Sequence, residues 1–237
     1  MNKKPFIFVT KYWRIIALIL VLILFFVVTA VFMIDARKAD VTPRQTDCVV
    51  LIDAGHGGVD GGVTGITSGV KESDLNLLYS AELAEKFETA GFYSVMTRSD
   101  KSGLYGLATK GFKMRDMLKR VEIIEQSNPQ IVVSIHMNKF RSTARKGAQV
   151  FYQKGDEESK KLADCIQAAL NALTGKNYSA LSGDFFICRN SECPSVIVEC
   201  GFLSNKEEEM LLQQDEYRGE IVNSIFEGIM LYLYRYG

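Results

Sequence analysis

The run Val49-Val50-Leu51-Ile52 leads into Asp53-Ala54-Gly55-His56-Gly57-Gly58, and the run Ile131-Val132-Val133-Ser134-Ile135 leads into His136-Met137-Asn138. Short apolar runs of this kind, bounded by turn residues, read as buried strands. In an open α/β sheet, parallel strands deliver their C-terminal ends to one edge, where ligand crevices form. His56 and His136 are the only two histidines of the chain, and each stands at such an end, so two imidazoles converge on one crevice and suggest a metal site. A lone histidine at a strand end is more often a hydrogen-bonded surface or core residue. The glycines at 55, 57, 58, 61 and 62 favour the site, because they let the backbone turn sharply and approach a bound group.

Outward from these two runs the pattern alternates. Ser73 or Asp74 caps a helix carrying Leu75, Leu78, Leu83 and Phe87 and ending near Gly91, and Phe92 to Thr97 reads as a strand. A long loop from Asp100 to Gly111 follows, of a length that is usually functional or mobile. A second helix from about Lys113 to Ser127 presents Met114, Met117, Leu118, Val121 and Ile124 on one side and stops before Pro129. Ala148 to Tyr152 is a further strand, followed by a helix with Leu162, Ile166, Ala169, Leu170 and Leu173 at core spacing. Phe185 to Cys188 and Val196 to Glu199 read as short strands, and Glu216 to Tyr234 as a terminal helix. The rhythm predicts an α/β fold, with a mostly parallel central sheet flanked by helices.

The N-terminus has a different character. Residues 15–34 are uncharged and, apart from Thr29, strongly apolar, about the length that crosses a bilayer as a helix. Lys3, Lys4, Lys11 and Arg14 precede it and by the positive-inside bias hold the N-terminus in the cytoplasm, against Arg37 and Lys38 on the far side. We read 1–14 as a cytoplasmic N-terminus, 15–34 as a transmembrane anchor or uncleaved signal, 35–46 as a linker with Pro43, and 47–237 as one extracytoplasmic catalytic domain. The first cysteine, Cys48, lies too far beyond the apolar run for a lipid attachment site.

The chain has 28 basic and 28 acidic residues. Positions 1–40 hold six and two of them, which leaves 22 against 26 for the remainder. A mildly acidic domain has no electrostatic footprint for nucleic acid, which would need a clustered basic face. The five cysteines lack the paired spacing of a structural zinc site. Cys188 and Cys193 have the spacing to close a small loop outside the cytoplasm, but an odd count favours packing thiols.

A catalytic zinc site typically takes three protein ligands and keeps a fourth position open. Glu72 is the best third ligand, since it closes the loop that begins at His56. The competing reading is an exposed acid favoured by a helix N-terminus. Glu199 ends the run Val196-Ile197-Val198, and a carboxylate terminating a buried strand is costly unless it is paired or working, as a general base would be. Asp53 either orients a histidine or stabilises its turn. Arg98 and Asn138 either contact substrate or brace loops. A serine hydrolase is excluded by the lack of a G-x-S-x-G elbow.

Taken together, Asp53 to Gly62, Lys71-Glu72, Thr97-Arg98, Ser134 to Asn138 and Val198-Glu199-Cys200-Gly201-Phe202-Leu203-Ser204-Asn205 resemble the zinc-dependent N-acetylmuramoyl-L-alanine amidases of the Amidase_3 type, from roughly Cys48 to the C-terminus. The resemblance implies a three-layer α/β fold, zinc bound by His56, Glu72 and His136, Glu199 as the catalytic carboxylate, and peptidoglycan as substrate. The single anchor, the short domain and the segment Thr109 to Arg115 are similar to the spore-cortex branch of the family, which acts ahead of muramic-δ-lactam formation. Cys200, beside Glu199, departs from the small or apolar residues usual there, and strand alternation turns it away from the site. A zinc peptidase cutting stem peptides, or an inactive wall-binding protein on the same fold, are the rival expectations. An extracytoplasmic activating partner is compatible with the resemblance but has no signature in the sequence.

Overall fold

The computed structural model describes Tyr12, Trp13, residues 15–27, Thr29 and residues 47–237. The chain divides into two units, Met1–Arg44 and Gln45–Gly237. In the first, the described residues are helical, with exposed side chains apart from the half-buried Thr29, whose hydroxyl donates to the carbonyls of Phe25 and Phe26. Among the described residues no helix is long and apolar enough to cross a membrane. The expected span over 15–34 is described only in part, since 28 and 30–34 lie outside the described residues, as does the expected linker over 35–46.

The second unit is built on a six-stranded sheet of order β2-β1-β3-β6-β4-β5. The strands are β1 (Val49–Ala54), β2 (Tyr93–Met96), β3 (Ile131–Asn138), β4 (Gln149–Gln153), β5 (Leu181–Gly183) and β6 (Ser195–Phe202). The pairs β1–β2, β1–β3 and β3–β6 are parallel, while β4 runs antiparallel to β6 and carries β5 parallel to itself. The helices are α1 (Glu72–Thr89), α2 (Phe112–Ser127), α3 (Glu157–Thr174), α4 (Phe186–Arg189), α5 (Lys206–Leu212) and α6 (Asp215–Tyr236).

Strand alternation sorts the core into two layers. Val50, Ile52, Ile131, Val133, Ile135, Val196 and Val198 face α1, α3 and α6, in a large cluster with Leu83, Phe87, Leu162, Ile166, Ile225 and Ile229. Leu51, Val132 and Ile197 point the other way, into a small cluster with Ile124 of α2 and Ile187 and Cys188 of α4. Helices thus cover both faces of a mostly parallel sheet. The thin second layer, toward α2 and α4, is the side to which Asp53, Ser134, His136 and Glu199 belong by register.

Three readings of the sequence are corrected, and two elements lie outside them. Phe185 to Cys188 is not a strand, because the short helix α4 begins at Phe186. Helix α1 begins at Glu72 itself with Lys71 at the N-cap, and neither Ser73 nor Asp74 caps it. Strand β5 and helix α5 were not anticipated. In α2 the buried stripe is Asp116, Arg120 and Ile124, while Met114 and Leu118 are exposed. Of the expected apolar face Ile124 and Met117 do pack on the core, and a buried charge network beside them holds this helix to the sheet. All five cysteines are free, and Cys200 is fully buried in the large core, on the face opposite Glu199.

Candidate active site

Register brings the expected residues together. In the β3–β6 pair, His136 stands directly opposite Glu199, so an imidazole and a carboxylate share one face at the C-terminal edge. His56 arrives from the glycine loop after β1 in a left-handed conformation, φ 60, which is uncommon for a residue with a Cβ and is found where surrounding structure imposes it. Glu72 opens α1, and its buried side chain turns back to both rings. Its Oε1 lies 2.8 Å from Nδ1 of His136 and 3.2 Å from Nε2 of His56. The imidazole centroids are 5.0 Å apart, nearly perpendicular, and one donor atom from each of His56, Glu72 and His136 lies within 4.8 Å of the others.

Each member of this trio is held from behind. Glu72 Oε2 accepts from the Val63 backbone at 2.7 Å. Gly62 sits so close, at φ 66, that a Cβ there would fall 2.3 Å from Glu72 Oε2 and 2.8 Å from the His56 ring. His56 Nδ1 lies 3.0 Å from Asp60 Oδ2, while Asp60 Oδ1 meets Lys113 Nζ at 3.1 Å. Asp60 therefore orients the His56 ring and leaves Nε2 for the site, the partner that metal-binding histidines usually have. The sequence signal for Asp60 was its i+4 spacing from His56 within the glycine loop.

Asp53 bonds neither histidine. Its carboxylate accepts from Thr97 Oγ1 at 2.7 Å and Ser134 Oγ at 2.5 Å, and it pairs with Arg120. Arg120 also reaches Asp116 Oδ2 at 2.7 Å, the Ala54 carbonyl at 2.8 Å and the His56 carbonyl at 2.6 Å. A buried pair of this quality needs its remaining donors satisfied, and here the backbone of the histidine loop does so. Arg98 directs its guanidinium to the carbonyls of Ala54, Gly55, Ser73 and Asp100, and so braces loops. The Asn138 carbonyl accepts from Leu203, and its side chain accepts from the next backbone N–H, of Lys139. The long loop is tied down as well, for Tyr105 Oη accepts from Val59 at 2.6 Å and Asp116 accepts from Leu104.

The electrostatics separate the two glutamates. Burial works to raise the Glu72 pKa, but hydrogen bonds and charge from His136 and His56 overcome it and hold the carboxylate well below its usual range. Burial, with the Glu72 charge adding to it, pushes Glu199 up to about 7 against the pull of the histidines. Burial opposes a charge on His56, yet Glu72 and Asp60 raise it to about 9, so a bound cation would take the place of that proton. Glu199 Oε2 is buried with no hydrogen-bond partner. An ionised oxygen donor between two imidazoles, beside an orphaned carboxylate oxygen, fits a divalent zinc-type ion with a proton acceptor at its open side. On the α2–α4 side a pocket of about 300 Å3 opens against His56 and His136, walled by Met117, Phe185, Phe186 and Ile197.

Residues 50–230 match the Amidase_3 family, described as N-acetylmuramoyl-L-alanine amidase. Over 190 residues the chain is 32% identical to the germination-specific N-acetylmuramoyl-L-alanine amidase of Bacillus subtilis strain 168, covering 78% of this chain and 79% of that one. The CwlD amidase from Clostridioides difficile, solved in complex with the GerS lipoprotein, matches with a TM-score of 0.76 at 36% identity, over 79% of this chain and 99% of that one. The catalytic domain of the amidase CwlV from Bacillus (Paenibacillus) polymyxa var. colistinus matches with a TM-score of 0.69 at 30% identity, over 78% and 98%.

Proposed function

The chain belongs to the Amidase_3 family of N-acetylmuramoyl-L-alanine amidases, and on that premise we propose that it hydrolyses the bond between the muramic lactyl carbonyl and L-alanine with zinc held by His56, Glu72 and His136. The observation that carries this reading is the meeting of those three donors within 4.8 Å, beside a buried Glu199 oxygen that bonds to nothing. When bound, zinc would supply Lewis acidity to the carbonyl and make water a nucleophile near neutral pH.

The protein's own part is proton transfer and alignment. Glu199 takes the proton of the attacking water on its free oxygen and passes it to the L-alanine nitrogen, which then leaves as an amine rather than an amide anion. Burial suits Glu199 to both steps, because a carboxylate with a pKa near the working pH accepts and returns a proton at similar cost. Asp60 holds the His56 ring, and Arg120 holds its backbone.

The similarity to a germination-specific amidase and to CwlD supports a role in the spore cortex, ahead of muramic-δ-lactam formation. The uncharged stretch 15–34 supports a membrane anchor with the catalytic unit outside the cytoplasm. The GerS complex of CwlD supports an extracytoplasmic partner of that kind here. The test is muropeptide mass spectrometry with zinc analysis on wild type and Glu199→Gln. The variant retains one zinc per chain and releases no new L-alanine amino termini. Activity in Glu199→Gln, or hydrolysis that survives complete chelation, overturns the reading, and a cut within the stem instead identifies a peptidase.

A further inference from the structure

Strand β3 leaves the active site through Lys139-Phe140-Arg141-Ser142-Thr143-Ala144-Arg145-Lys146, which carries four cations and no acid. The residues after position 40 otherwise carry an acidic excess, so this loop is a local reversal of sign. Both of its ends stand beside the catalytic pair. It starts from Asn138, two residues beyond His136, and it delivers Gln149, the cross-strand partner of Glu199. Its middle is pinned to the turn after β6, where Phe140 N donates to Ser204 Oγ at 3.0 Å and Asn205 Nδ2 to the Thr143 carbonyl at 2.8 Å.

Within this loop Arg145 is half-buried. Its guanidinium lies over the rings of Phe140 at 4.9 Å and Phe202 at 5.5 Å, which hold the group in place but offer it no oxygen acceptor. Its Nε is buried without a partner, and among the described residues no carboxylate or carbonyl meets the guanidinium. Arg98 and Arg120, at the same sheet edge, are by contrast fully engaged by carbonyls and carboxylates. A buried donor left open is unfavourable unless an acceptor arrives, and a planar fork matches a carboxylate with two parallel hydrogen bonds. Lys139 and Arg141 stand exposed on the same loop, and a hollow of about 490 Å3 beside it is lined by Lys146, Lys206, Glu207 and Asn205.

Phe202, on which Arg145 rests, is the cross-strand partner of Asn138. Two strand residues span roughly 7 Å, about the reach of two residues of extended peptide. Resting on the amidase reading above, we propose that Arg145 is a specificity residue whose guanidinium, supported by Lys139 and Arg141, receives the free carboxylate that a peptidoglycan stem carries on the residue after its L-alanine. The glycan near the scissile amide is uncharged, so the stem is the part of the substrate that this basic loop can read.

The experiment uses the full chain loaded with zinc and two synthetic muramyl-L-alanyl-γ-D-glutamyl peptides, one with the glutamyl α-carboxylate free and one with it as the carboxamide. Wild type cleaves the free acid with a kcat/KM about tenfold higher, mostly through KM, as expected for loss of a charge-assisted hydrogen-bonded pair. Arg145→Gln cleaves the two peptides alike, and Arg145→Lys recovers part of the preference. Equal cleavage of both peptides by wild type overturns the subsite without recourse to any variant, as does an Arg145→Gln that slows both in the same proportion. Inhibition of wild type, but not of Arg145→Gln, by soluble polyglycerol phosphate without discrimination between the peptides assigns the loop to a phosphate polymer and overturns the stem assignment. If wild type releases no L-alanine amino terminus from either peptide, it is the amidase reading that fails.

Discussion

Arg120 Nη2 donates to the backbone carbonyl of His56 at 2.6 Å, so a guanidinium on α2 fixes the loop that presents a candidate metal ligand. The same side chain closes the Asp53 and Asp116 carboxylates. Removing one partner of a buried, fully bonded charge pair costs about 3–5 kcal/mol, because the other is left uncompensated. Arg120→Met therefore lowers the urea midpoint by that amount of stability and weakens zinc binding, as His56 loses the support of its left-handed backbone. Urea unfolding with a zinc titration checks both, and an unchanged zinc affinity would show that the clamp serves the fold alone.

Asp53 sets a pH dependence of known sign. Burial alone would raise its pKa, but Arg120 and the hydroxyls of Ser134 and Thr97 hold it below the ordinary value. A carboxyl whose folded pKa is depressed stabilises the fold above its unfolded pKa, about 3.9, and loses that stabilisation as the pH falls through the folded value. The stability gap between wild type and Asp53→Asn is thus widest near pH 7 and narrows below about pH 4. Urea midpoints across that range test it, and a gap that grows on acidification would reverse the assignment.

His56, His136 and Glu199 were legible in the sequence as candidates because each stands at the end of a short apolar run, whereas the register that sets His136 opposite Glu199 is visible only in the sheet. Glu72 was legible as a candidate by its place in the loop, although its position as the first helical residue was not. The network beneath the site was hidden, since Arg120 and Asp116 share their buried stripe with Ile124 on a helix that also carries the exposed Met114 and Leu118. Met114 and Leu118 stay exposed because Asp53, on the sheet face toward α2, demands a cation. No local period records a demand set by a residue so distant in sequence. Helix α4 was misread for a similar reason: four apolar-rich residues, Phe185 to Cys188, fit a strand equally well, and only packing against β4 and β6 decides between them.

Gly62 tests how tightly the candidate ligand trio is framed. Its φ of 66 penalises a side chain, and a Cβ at this position would fall 2.3 Å from Glu72 Oε2, which would have to move. An alanine there incurs a left-handed penalty of about 1 kcal/mol and pushes Glu72 off the His56 and His136 nitrogens. Gly62→Ala is expected to lose at least tenfold in zinc affinity, at a stability cost of about 1–2 kcal/mol. Calorimetric zinc titration and thermal melting of the zinc-free protein separate the two effects, and unchanged zinc affinity would mean that Glu72 does not need its present position.

Gly228 gives a prediction about the large core that leaves the chemistry aside. It lies on α6 where a Cβ would come within 2.5 Å of the Ile166 Cα on α3, and the obstructing atom is backbone, which cannot swing away. Replacing a helical glycine with alanine ordinarily gains up to about 1 kcal/mol, whereas overpacking a well-filled interface costs about 1–3 kcal/mol. Because α3 and α6 would have to separate, the second effect wins, and Gly228→Ala lowers the urea midpoint while zinc affinity and the KM for muropeptide stay at wild-type values. A rise in stability would mean that the two helices yield to a methyl group, and that their close approach at Gly228 and Ile166 is not what limits the packing of this layer.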